Sequence, residues 1–131
     1  MIKLFIGGKG SGKTKALIEL VNSAAASTAG SVVCIEKGDK LKLDITYKAR
    51  LIDSDNYSVA NADALYGFIS GILASNNDIT DIFVDGALKI CDVDGFVSIL
   101  PKLDKIAKDI NLVMTASIAV DECPEEIKKY A

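Results

Sequence analysis

The chain has 131 residues, half of them apolar and a quarter charged, with 15 basic against 18 acidic residues and a formal net charge of −3. That length carries one hydrophobic core and excludes two, so a single domain over 1–131 is expected, and the composition excludes a disordered tail. The acidic balance argues against nucleic acid as a partner, and no apolar stretch reaches the roughly 18 residues of a membrane span, so no membrane partner is expected.

The first apolar run, IKLFI at 2–6, reads as a strand. It starts without a charged leader, which points to a cytoplasmic chain. Behind it comes GGKGSGKT at 7–14, then Ala16, Leu17, Leu20, Val21, Ala24 and Ala25 at helical spacing, ending near Gly30; this predicts a helix over about 13–29. SVVCIE at 31–36 is a second strand, and KGDKLKLDITYK at 37–48 a polar surface hairpin or mobile loop. ARLID at 49–53 is a third strand, 61–75 a helix carrying Leu65, Phe68, Ile69 and Ile72, and DIFVD at 81–85 a fourth strand. The next helix carries Leu100, Leu103, Ile106 and Ala107; its start is placed near Ser98 so that Pro101 falls in the first turn, a kinked helix being the alternative. NLVMTASI at 111–118 is the fifth strand, and CPEEIKKYA a short terminal helix with Pro124 in its first turn.

Near-continuous apolar strands alternating with amphipathic helices predict a three-layer α/β fold, a mostly parallel five-stranded sheet with helices on both faces. The chain has no histidine, which removes the usual general base and nucleophilic triads. Its three cysteines, Cys34, Cys91 and Cys123, are far apart and are expected to be buried and reduced rather than zinc ligands.

Residues 7–14 satisfy the pattern G-x-x-x-x-G-K-[ST], which average composition would produce in roughly one such chain in a few hundred. Glycines at 7, 8, 10 and 12 bring backbone N–H groups close to phosphate oxygens, and the following helix adds its unpaired amides and positive dipole end. Lys13 supplies charge for the β- and γ-phosphates, and Thr14 a hydroxyl for Mg²⁺. The candidate nucleotide-binding set is Gly7, Gly8, Lys9, Gly10, Ser11, Gly12, Lys13, Thr14 and Lys15. For Lys9 and Lys15 a solvated charge and a phosphate contact are both open readings. Asp85, after Ile82, Phe83 and Val84, is the second metal-holding group; a strand that merely ends in aspartate at a turn is the plain alternative. Ligands of such sheets bind outside the carboxyl ends of the strands, where Glu36, Asp53, Asp85, Thr115 and Ser117 fall. Thr115 or Ser117 is either a γ-phosphate sensor or a hydroxyl bonded to backbone.

This order of parts resembles the RecA-like branch of the P-loop ATPases over most of the chain, from Met1 to about Ala119, and is similar to small bacterial P-loop proteins labelled as twitching-motility (pilus-retraction) ATPases. The resemblance implies ATP and Mg²⁺ as cofactors, Lys13 and Glu36 as catalytic groups, and a protein partner or a homo-oligomer in which one subunit completes another's site. Two departures bear on turnover. Gly86 stands where many hydrolytic members carry a glutamate, which leaves Glu36 as the candidate water-activating carboxylate, or else as a solvated or helix-pairing one. Arg50 is the only arginine and lies inside a strand. The expectation is Mg²⁺-dependent nucleotide binding with slow or partner-dependent hydrolysis, nucleotide state acting on the 37–48 loop. Alternatives are a nucleoside-type kinase and an interaction module whose loop has lost its ligand. The type II thymidine kinases share the motif but carry an acid after the strand aspartate and a cysteine lasso for zinc.

Overall fold

A computed structural model describes all residues, Met1–Ala131. Five strands, β1 (Ile2–Gly7), β2 (Ser31–Glu36), β3 (Arg50–Asp53), β4 (Ile79–Asp85) and β5 (Asn111–Ser117), form one sheet in the order β1-β5-β4-β2-β3. Every pairing in it is parallel. The sheet is covered by α1 (Lys13–Ser27), α2 (Ala62–Ser75), α3 (Ala87–Ile90), α4 (Val93–Ile106) and α5 (Glu125–Lys128). No helix is long and apolar enough to cross a membrane.

Side chains of a strand alternate between faces, and here the alternation sorts the apolar residues into two clusters. Val33 and Ile35, Ile82 and Val84, and Leu112 and Met114 pack with α2, α3 and α4 in one cluster. The intervening Val32 and Cys34, Phe83, and Val113 pack with Leu17 and Val21 of α1 in the other. Helices therefore lie on both faces, and strands buried on both sides read as continuous apolar runs in the sequence. The cysteines are buried and free; burial pushes the Cys34 thiol up to about 12, with Asp85 and Glu36 adding, and that of Cys91 to about 11.

The connection from β1 to β2 runs over two strands with α1 on one face, whereas those into β4 and β5 run the opposite way with α2 and α4 on the other. Opposite directions on opposite faces keep every crossover of one hand. The chain thus leaves β1 and β4 in opposite directions, which opens a crevice at the carboxyl ends of β1, β5 and β4.

Two expectations need correction. Helix α4 begins at Val93, well before Ser98, because the Asp92 side chain caps it by accepting from Gly95 N–H at 2.7 Å. Pro101 lies in its interior and on its exposed face. An interior proline costs about 3 kcal/mol, but Phe96, Ile99, Leu100 and Leu103 are all fully buried, and at about 1.5–3 kcal/mol each they outweigh it. Of the two readings of residues 37–48 only the hairpin is contradicted: they are a loop, a succession of turns pinned by buried Leu41 and by Asn22 of α1. Asn22 donates to Asp44 O and accepts from Thr46 N–H, both at 2.9 Å.

If Asp92 sets the start of α4, Asp92→Ala removes the cap and lowers stability by about 1 kcal/mol in a denaturant titration. An unchanged midpoint would mean that packing alone fixes this end.

Candidate functional site

The ends of the three longer helices differ in how their first amides are satisfied. At α2 the Asn61 side chain accepts from Ala64 N–H at 2.8 Å, and at α4 Asp92 does the same for Gly95. Helix α1 has no side-chain cap. Its capping residue is Gly12, at φ 84°, a left-handed backbone in which a Cβ is strained. The first bond of the helix runs from Ala16 N–H to Gly12 O at 3.1 Å, and no backbone N–H from Gly8 to Lys15 donates within the chain. A loop that leaves its amides free at the positive end of a helix dipole is an anion cradle.

Lys13 folds back across this loop, its Nζ donating to Gly8 O at 2.8 Å and to Ser11 Oγ at 3.1 Å, so the ammonium is held over the cradle. Above it opens a cleft of about 500 Å³ with no apolar side chain in its wall. Lys9, Lys13 and Lys15 line it from the loop and α1, Lys40 from the segment after β2, and Lys89 from α3. The ion pairs of the protein are Lys37–Asp55 and Lys128–Glu125, so none of these five lysines is neutralised by a carboxylate. A chain of net charge −3 thus gathers a third of its 15 basic residues around one polar cleft, which suits a polyanion. A groove of about 400 Å³ at the amino ends of the strands, walled by Leu20, Ala24, Phe83 and Val113, has a single lysine, Lys3, and a carboxylate, Asp81.

Beneath the cradle Asp85 ends β4. Its Oδ1 accepts from Thr14 Oγ1 at 3.1 Å and from Thr115 Oγ1 at 3.0 Å, and the same Thr115 hydroxyl accepts from Gly86 N–H at 2.7 Å. The first turn of α1 and the ends of β4 and β5 are joined in this way. Of the two readings of Thr115, the one bonded to backbone holds: its side chain is buried and fully engaged, whereas Ser117 lines the cleft. The hydroxyl of Thr14 and the carboxyl of Asp85 make an oxygen pair that fits Mg²⁺, an ion bound by one or two protein oxygens together with phosphate and water.

Glu36 is the register partner of Asp85 on β2, buried with 3 % exposure, outside the cleft lining. Its Oε1 accepts from Leu41 N–H at 2.9 Å. Burial raises its pKa; the Leu41 N–H works against this, while Asp85, Asp53 and Asp39 add to the rise. Asp53 is a structural group, accepting from Gly38 N–H and Asp55 N–H at 2.9 Å each, and Arg50 is exposed at the start of β3. Lys40 and Lys89 escaped the sequence reading. The only signal in the sequence was their distance, four residues, from the carboxylates that end β2 and β4.

Because folding raises the Glu36 pKa, its contribution to stability is complete below the ordinary carboxylate value and is lost as pH rises through the raised one. Glu36→Gln keeps an acceptor for Leu41 N–H and removes the charge. In metal-free buffer its stability relative to the wild type is expected to grow from acidic to neutral pH; a difference that stays constant would deny the shift.

Set against known proteins, the chain matches no family model and no curated protein.

Proposed function

We propose that the chain is a P-loop protein of the RecA-like type that binds a nucleoside triphosphate, ATP by that resemblance, together with Mg²⁺, and hydrolyses it slowly or only with a partner. The observation that carries this reading is the uncapped start of α1: the amides from Gly8 to Lys15 are free, and most of these residues line one cleft with Lys40 and Lys89. In this reading the amides and Lys13 hold the phosphates, and Thr14 and Asp85 hold the metal, which neutralises phosphate charge when bound.

Slow turnover is supported by what faces the cleft. Its wall contains lysines, glycines and hydroxyls but no carboxylate, and the residue after Asp85 is Gly86. A general base must reach the water it activates. Glu36 is buried against Leu41 N–H, so to serve as that base it must first be released by the 37–48 segment. This ties hydrolysis to the conformation of that segment and fits a regulatory or accessory protein.

Calorimetric titration with ATP, with and without Mg²⁺, tests the reading. Binding is expected to require Mg²⁺ or tighten about tenfold with it, to be lost in Lys13→Ala, and to be accompanied by turnover below about 1 per second. Absence of binding at millimolar nucleotide would favour an interaction module with a vestigial loop.

A further inference from the structure

The cleft holds more cationic side chains than the glycine-rich loop supplies, and the two extra ones come from elsewhere in the sheet. Lys89 follows β4 and Lys40 follows β2. With β5 between β1 and β4, and β2 beyond β4, a strand spacing of about 4.8 Å puts these two strand ends roughly 10 and 15 Å from that of β1. Both lysines therefore approach the cleft from the side away from the loop.

Each is tied to a specific local device. Gly86 has φ 75°, and a Cβ built there would stand 3.0 Å from Lys89 Cδ, so the stem of Lys89 passes over the residue after Asp85. A glutamate at 86 would be strained in backbone and would crowd that stem, which would have to shift by a few tenths of an ångström. Lys89 reaches the cleft past a glycine that leaves room for its stem. Lys40 precedes Leu41, whose side chain is buried and whose N–H is held by Glu36, and the same segment is braced on α1 through Asn22. Unpaired like charges around one cleft repel one another until an anion arrives.

We propose that Lys40 and Lys89 form a terminal-phosphate jaw: they make the site discriminate a nucleoside triphosphate from a diphosphate, and through Lys40 they couple that discrimination to the ordering of residues 37–48. The inference rests on the nucleotide reading above and adds to it the residues that read the phosphate number. The loop amides grip what the two nucleotides share, and Lys13 spans the β- and γ-phosphates. The jaw grips what only the triphosphate has.

The test is a calorimetric comparison of Mg²⁺-bound non-hydrolysable ATP analogue and Mg²⁺-bound ADP on the wild type, Lys40→Ala, Lys89→Ala and the corresponding arginine variants. A charged hydrogen bond to phosphate predicts that the wild type prefers the triphosphate by about tenfold or more, that each alanine variant loses most of this by weakening the triphosphate alone, and that arginine restores it. Hydrogen exchange gives an independent readout: the triphosphate should slow exchange at the Leu41 and Thr46 amides in the wild type and leave them unchanged in Lys40→Ala. Alanine variants that retain the preference, or that weaken both nucleotides equally, would overturn the jaw while leaving nucleotide binding intact. A wild type that binds neither nucleotide would remove the nucleotide reading, and the jaw with it.

Discussion

One carboxyl oxygen holds the carboxyl end of the sheet together. Asp85 Oδ1 accepts from Thr14, 71 residues before it, and from Thr115, 30 residues after it. Through Thr115 the bonding continues to Gly86 N–H, which sets the turn out of β4. The position of α1 over the sheet, the aim of its free amides and the path of the chain past Gly86 all depend on that junction. Asp85 is 8 % exposed and its register neighbour Glu36 is 3 % exposed, yet neither takes part in an ion pair. Buried carboxyl groups without a cation are costly to the fold, and the cost falls at the crevice opened by the topology.

Elsewhere in the protein the exceptions are few, the buried hydroxyls of Ser54 and Ser70 lacking partners. Its two apolar clusters fill both faces of the sheet, and α2 and α4 are capped by side chains. Free amides from Gly8 to Lys15, five lysines without an ion pair and two buried carboxyls beneath them gather at one end. Chains break local rules of this kind mainly where function requires it. Complementary charges in separate layers, cationic above and anionic below, suit a ligand that brings both phosphate and metal.

Much of this was legible in the sequence because it is local. The five strands are marked by their apolar runs, and the loop by its glycines, Lys13 and Thr14. Pro101 misled, since its intrinsic preference is visible in the sequence while the burial of Phe96, Ile99, Leu100 and Leu103 that overrides it is a tertiary fact. The 37–48 segment misled for the opposite reason. Its alternating Lys and Leu suggest a strand period, but only Leu41 is buried and Leu43 is 96 % exposed, the shape being imposed by Asn22 and Glu36 from outside it. Lys40 and Lys89 look like ordinary solvated lysines until strand order brings β2 and β4 beside the loop.

If the free amides at the start of α1 receive phosphate, they are the groups that respond first to nucleotide. Amide-resolved nuclear magnetic resonance of the ¹⁵N-labelled protein reads those groups individually. On addition of Mg²⁺ and ATP, the largest shifts are expected on the amides between Gly8 and Lys15, downfield as each gains a charged acceptor. Shifts confined to other regions, such as the apolar groove at the amino ends of the strands, with the 8–15 amides unmoved, would contradict phosphate binding at this loop.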